Sequence, residues 1–145
     1  MKRFLAALSA TLALAPSAFA QEAEPTLLPQ SLNLPVLAGS TIPDDCMYPA
    51  SITDATRYEI ACVTMPRFIS GEVGAAYIGE LGTRGWRQGS YISGGMTAVR
   101  DSENNCRQVL NIFPADFPPG AQNSELVVIW FALDRTPRCT QSQPG

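Results

Sequence analysis

Residues 100–107, RDSENNCR, hold several side chains that could carry out chemistry. Asp101 and Glu103, with the later Asp116, are candidates for the paired carboxylates of a glycoside hydrolase. The same turn offers oxygen ligands for calcium, but it lacks the glycine and the distant glutamate of an EF-hand loop. Cys106 is followed by an arginine, and a neighbouring cation favours a reactive thiolate. No second motif supports these readings, so we interpret the segment as a hairpin turn with a structural cysteine.

The arginines of this region indicate a different chemistry, the recognition of an anion. If two hairpins with an even number of loop residues join the strands here, Arg87, Arg100 and Arg107 lie on one face of a sheet. Arginine forks bind carboxylate and phosphate, and we expect Tyr91 beside them as an aromatic neighbour. The same face would hold Met96, Val109, Asn111 and Phe113, and the opposite face Trp86, Ile92, Val99, Leu110 and Ile112. The alternative is a solvated face whose arginines pair locally with Asp101 or Glu103.

The absence of histidine from the chain narrows the possible enzymes. It excludes a nucleophile activated by histidine and a zinc site with histidine ligands. The glycines of YISGGMTAV are not followed by the lysine and helix of a phosphate-binding loop. Carboxylates, tyrosines and arginines remain, and we expect a protein that is not an enzyme and uses no cofactor or metal.

The N-terminus has the three parts of a secretory signal peptide. Lys2 and Arg3 form the basic start, residues 4–15 are apolar, and Ala18-Phe19-Ala20 is a small-residue cleavage site. The apolar stretch is shorter than the roughly 20 residues that span a membrane. We therefore predict a signal peptide at 1–20, cleavage between Ala20 and Gln21, and a bacterial periplasmic or secreted protein with no membrane span.

The charge of the mature chain limits its partners. Without residues 1–20, eight arginines face thirteen acidic residues, so the net charge changes from −3 to −5. Such an acidic protein is a poor ligand for nucleic acid and gains nothing from an anionic membrane surface. We expect its partner to be a protein or an anionic envelope component.

All four cysteines lie in the predicted mature chain. In an oxidising compartment, four cysteines indicate two disulfides with three possible pairings. Cys46 and Cys62 flank a turn-like segment, which favours the pairs Cys46–Cys62 and Cys106–Cys139, although the sequence leaves the other pairings open.

Prolines and hydrophobic periods divide the mature chain into three parts. Four prolines in 21–45 predict an extended lead-in, although alternating Leu32, Leu34 and Val36 would also suit an edge strand. A single domain should occupy 46–140, followed by a disordered tail at 141–145.

The domain should be α+β, with one helix on a mainly antiparallel sheet of about five strands. RYEIACVTM predicts a first strand, and a helix should begin at Ser70, end near Arg84 and bury Val73, Tyr77, Ile78 and Leu81. WRQGSYI, MTAVRD, CRQVLNIF and ELVVIWFAL predict four more strands. The order β-α-β-β-β-β is similar to cystatin-like and helix-grip folds, a resemblance that implies nothing about activity.

Four functional hypotheses follow from these features. The first is an exported binding module that uses the arginine and aromatic face. A variant of it is an enzyme inhibitor that uses the proline-stiffened loop at 113–124. The others are a carboxylate-dependent hydrolase or lyase, and a structural envelope protein attached through residues 25–43.

Overall fold

The computed structural model describes residues 24–47, 49, 52, 54, 56–102 and 105–139. The predicted signal peptide, Glu103 and the predicted tail at 141–145 lie outside these residues. Within the described ranges, no helix is long and apolar enough to cross a membrane.

The described chain forms one helix and a six-stranded antiparallel sheet, besides a small two-stranded hairpin. The elements are β1 (Thr26–Leu27), β2 (Leu34–Pro35), β3 (Tyr58–Pro66), a short 3-10 helix (Arg67–Ile69), α1 (Ser70–Thr83), β4 (Arg87–Ile92), β5 (Gly95–Asp101), β6 (Cys106–Phe117), β7 (Leu126–Asp134) and β8 (Arg138–Cys139). The sheet has the order β3-β7-β6-β5-β4, and β8 pairs with the start of β6. The predicted α+β class is confirmed with a sixth strand, and the cystatin-like or helix-grip topology stays a prediction.

The amphipathic helix α1 packs on one face of the sheet. Val73, Tyr77 and Leu81 are buried on the sheet, as predicted, and Ile78 packs at their edge. The Tyr77 ring lies 5.1 Å from that of Phe131 in β7. The helix ends at Thr83, and Gly85 shortly after it has a φ of +79°, which suits a residue without a Cβ. We call the side of the sheet that carries α1 the helix side, and the opposite side the outer side.

Residues 26–40 belong to the folded unit, although we expected an extended lead-in there. Leu27, Leu28, Leu32 and Leu34 are at most 6% exposed and pack in the same core as α1. The buried carboxylate of Glu59 fastens the turn between β1 and β2, because it accepts hydrogen bonds from Gln30 and Ser31. The folded unit therefore begins before residue 46.

The outer side of the sheet is divided into two halves. Over β3 and β7, Cys62, Val128 and Trp130 form a second buried cluster, on which Cys46, Phe113 and Phe117 pack. The structure joins Cys46 to Cys62 and Cys106 to Cys139, the pairing that the sequence favours. The half of the outer side formed by β4, β5 and the start of β6 is open, and it holds the candidate site.

Candidate anion-binding site

In both hairpins that build the site, the pairing at the arginines differs from the one predicted. In the first, Tyr91 pairs with Met96, but a bulge at Gly89 and Ser90 then places Arg87 opposite Val99. The hydroxyl of Thr97 bonds to both the N–H and the C=O of Ser90 and so occupies the bulge. The bulge shifts the pairing of β4 by one residue, so Arg87 and Tyr91 lie on opposite faces of the sheet.

The second hairpin has an odd number of loop residues, where we expected an even number. Asp101 pairs with Arg107, and five residues lie between them. Ser102 donates a backbone hydrogen bond of 2.8 Å to the C=O of Cys106, and Asn105 takes a positive φ of 54° in this turn. Arg100 consequently pairs with Gln108, one position away from the predicted register.

The prediction that three arginines and Tyr91 share one face is therefore wrong. Arg100 lies on the helix side, where its guanidinium stacks 4.9 Å from the ring of Trp86 and donates to Gln108. Tyr91 is 79% exposed at the edge of the helix side, and its hydroxyl lies 2.9 Å from Gln88 Nε2. Arg87 and Arg107 remain together on the outer side.

A third arginine that we did not predict joins them. Arg138 in β8 is the register partner of Arg107 in β6, and the disulfide partners Cys106 and Cys139 form the adjacent pair. The sequence contains the signal for this arrangement. If Cys106 and Cys139 face each other in antiparallel strands, Arg107 and Arg138 must also face each other.

These side chains line an open cavity of about 720 Å³ on the outer side, which we call the outer cavity. Asp101, Arg107 and Arg138 supply its charges, and Arg87 reaches it through its ion pair with Asp101. Ile92, Val99 and Val109 give it an apolar floor, and Thr97 and Asn111 add polar groups. The cavity therefore combines cationic walls with an apolar base.

The charges of the outer cavity are unbalanced. Arg107 Nε donates to Asp101 Oδ1 over 2.8 Å, and Arg87 donates to Oδ2 of the same carboxylate. The hydrogen bond from Arg107, and the positive charge of both arginines, lower the pKa of Asp101. Among the described residues the side chain of Arg138 has no ion pair or hydrogen bond. Of the three guanidinium groups, two thus share the carboxylate of Asp101, and that of Arg138 has no carboxylate partner among the described residues.

The other chemistry considered for residues 100–116 finds little support. The carboxylate of a general acid needs a raised pKa, whereas that of Asp101 is lowered. Asp116 forms an ion pair with Arg67 on the helix side. Within the described ranges, no three acidic, cysteine or histidine side chains are grouped so that they could hold a metal ion.

The loop at 113–124, considered as an inhibitor loop, is shorter than predicted. Residues 113–117 belong to β6, so the connection to β7 starts at Pro118. Ser124 closes it, since its hydroxyl donates to the C=O of Phe117 and its own C=O accepts from Arg67 Nε. The remaining loop is a compact strand connection.

A second cavity, of about 480 Å³, lies on the helix side between α1 and the first hairpin. The small residues Gly71, Gly74 and Ala75 form its helical wall, and Tyr91 and Met96 line the sheet side. Its lining contains no charged residue. Its lining is mainly apolar, and its polar side chains are the hydroxyls of Ser70, Tyr77 and Tyr91.

Comparison of the chain with protein-family models, curated proteins and solved structures found no match. No relative's site can therefore be transferred to this chain. The outer cavity is the part of the described structure in which charge, shape and apolar surface converge.

Proposed function

We propose that the protein is a small exported binding module, without catalytic activity, that recognises an anionic partner or ligand at the outer cavity. The observation that carries this proposal is the pairing of Arg107 with Arg138, with Asp101 as the only carboxylate among the described residues that line the cavity. A chain with a mature net charge of −5 concentrates positive charge at this place.

The arrangement of the three arginines suits recognition of an anion. Arg87 and the Nε of Arg107 donate to Asp101. The guanidinium of Arg138 and the terminal nitrogens of Arg107 remain to bind an incoming group. Guanidinium forks hold carboxylate or phosphate through paired hydrogen bonds. The apolar floor beside them would contact the less polar part of the same ligand.

Export and fold support a binding role. Two disulfides fit a periplasmic or extracellular protein. A helix held on an antiparallel sheet, with one sheet strand before it and the other five after it, supports the proposed cystatin-like or helix-grip-like topology. An envelope attachment through residues 25–43 is less favoured, because the leucines it would use are buried in the core.

The experiment that tests this function is a cross-linking capture from envelope extract. The tagged mature protein is compared with the double variant Arg107→Gln, Arg138→Gln and with the control Arg135→Gln. Arg135 is exposed and close in sequence, but its side chain contacts Gln30, outside the outer cavity. We expect the double variant alone to lose the captured partner, and capture by all three proteins would contradict the proposal.

A further inference from the structure

We infer that the Cys106–Cys139 disulfide assembles Arg107 and Arg138 into a binding site for a phosphate monoester. This inference rests on the proposed function, because it identifies the kind of anion that the outer cavity takes. It adds a requirement for the disulfide and a requirement for two negative charges on the bound group. Each requirement has its own test.

The disulfide is the strongest connection between the two arginines. β8 has only two residues, and both pair with β6. Cys139 lies opposite Cys106, and Arg138 lies opposite Arg107. Like charges directly opposite each other on neighbouring strands repel, so Arg107 and Arg138 favour separation of β8 from β6. The covalent bond one residue away opposes that separation. Without it, Arg138 would move away from Arg107.

The charge of the outer cavity indicates a doubly charged group. Arg87, Arg107 and Arg138 carry three positive charges, and Asp101 carries one negative charge. A monoanion leaves one positive charge uncompensated, whereas a phosphate monoester brings close to two negative charges at neutral pH. Its three terminal oxygens can accept from the forks of both arginines at once.

The apolar floor indicates what the phosphate is attached to. Ile92, Val99 and Val109 come from three neighbouring strands and lie beside the arginines in the same cavity. A free phosphate would leave this surface in contact with water. An ester with an apolar ring or chain would cover it, and phenyl phosphate is therefore a suitable probe.

The first test is a titration with phenyl phosphate and with phenyl sulfate, which has a similar shape and one negative charge. Binding is followed through backbone amide signals of β5, β6 and β8 by NMR. We expect phenyl phosphate to bind at least about threefold more tightly than phenyl sulfate. Arg138→Gln and Arg107→Gln should each weaken its binding about three- to tenfold, and Arg135→Gln should leave it unchanged. Equal affinity for the two probes would overturn the requirement for a dianion.

The pH dependence of binding provides a second readout. The second pKa of a phosphate monoester is about 6, so its affinity should fall between pH about 7.5 and about 5, whereas that of phenyl sulfate should stay constant. Among the described residues, the charged groups that face the site are Arg87, Arg107, Arg138 and Asp101, with Asp134 in β7 acting on Arg138. The arginines stay protonated and both carboxyls have lowered pKa values, so these groups keep their charge over this range. A flat profile for phenyl phosphate would also overturn the inference.

The requirement for the disulfide is tested with Cys106→Ser, Cys139→Ser, which keeps Cys46–Cys62. We expect this variant to retain the amide spectrum of α1, β3 and β7 and to bind phenyl phosphate as weakly as Arg138→Gln does. If it does not fold, selective reduction and alkylation of the partly exposed Cys106–Cys139 bond serves the same purpose, because Cys62 is only 1% exposed. Wild-type affinity without this bond would overturn the requirement. Arginine-dependent capture of a partner without phenyl phosphate binding would refute the inference and leave the proposed function intact.

Discussion

Arg107 and Arg138 face each other across the pairing of β6 with β8, and the disulfide between Cys106 and Cys139 forms the neighbouring pair. This arrangement places two like charges directly opposite each other on neighbouring strands, where they repel. Its electrostatic cost is one reason why we propose that a ligand of the opposite charge completes the site.

Arg138→Gln should therefore stabilise the protein while it weakens binding. Removing one of two opposed cations should raise the free energy of unfolding by about 0.2–1 kcal/mol at low salt. The gain should shrink as added salt screens the repulsion. Denaturant unfolding of wild type, Arg138→Gln and Arg135→Gln at two salt concentrations measures this. A loss of stability in Arg138→Gln would show that Arg138 has a structural role.

Tyr77 anchors residues 37–40 to α1. Its buried hydroxyl accepts a hydrogen bond from the N–H of Leu37 over 3.1 Å and lies 2.9 Å from Ser40 Oγ. Tyr77→Phe leaves both groups without this partner and should lower the free energy of unfolding by about 1–2 kcal/mol.

Tyr91→Phe is the matched control for Tyr77→Phe, because Tyr91 is exposed and its hydroxyl contacts only the side chain of Gln88 among the described residues. Its stability should change by less than about 0.5 kcal/mol. Hydrogen exchange at Leu37 should also become faster in Tyr77→Phe alone. Equal effects of the two substitutions would show that residues 37–40 do not depend on this anchor.

Asp134 should make the free energy of unfolding depend on pH in the acidic range. Burial of its carboxyl raises the pKa, but hydrogen bonds from Arg57 and from the N–H of Thr136 outweigh burial and lower it below the usual value. A carboxyl whose pKa is lower in the folded state stabilises the fold fully above its unfolded pKa of about 3.9. That contribution disappears as the pH falls through the lower folded-state pKa.

The variant Asp134→Asn isolates this contribution. It should cost about 1–2 kcal/mol at neutral pH, and its deficit relative to wild type should shrink below pH about 4. Unfolding measured by denaturant from neutral pH to about 2.5 gives the difference. A deficit that stays constant with pH would mean that the charge of Asp134 does not contribute.

The sequence predicts which segments form strands and helix better than it predicts which face of the sheet each side chain occupies. The apolar periods of residues 57–65 and 70–84 identify β3 and α1, because one face of each is buried in one core. The faces of β4 and β5 depend on a bulge at Gly89 and on the length of one turn. Neither feature changes the hydrophobic pattern, so the pattern could not place Arg100 correctly.

The place of Arg138 in the site, in contrast, could have been predicted from the sequence. It precedes Cys139 as Arg107 follows Cys106, so the disulfide and an antiparallel pairing together bring the arginines face to face. The leucines of residues 27–34 were missed for a different reason. Prolines exclude a helix there, but they do not exclude a short hairpin that packs on α1.

Asp101 holds Arg87 and Arg107 through its two carboxylate oxygens, and its replacement by asparagine separates a binding role of these arginines from a structural one. Asp101→Asn removes the carboxylate that competes with an incoming anion. Phenyl phosphate should therefore bind about threefold more tightly at low salt, and the increase should be lost at high salt. The protein should also become less stable, because both arginines lose their partner.

The matched control for Asp101→Asn is Asp116→Asn, which removes the carboxylate that pairs with Arg67 on the helix side. It lowers the net negative charge of the protein by the same amount but leaves the outer cavity unchanged. Titration of both variants with phenyl phosphate, beside their denaturant unfolding, completes the comparison. Tighter binding in Asp101→Asn alone is the expected result, since only this substitution leaves Arg87 and Arg107 without a resident counter-ion. Weaker binding in Asp101→Asn would mean that the carboxylate orients the arginines for the ligand.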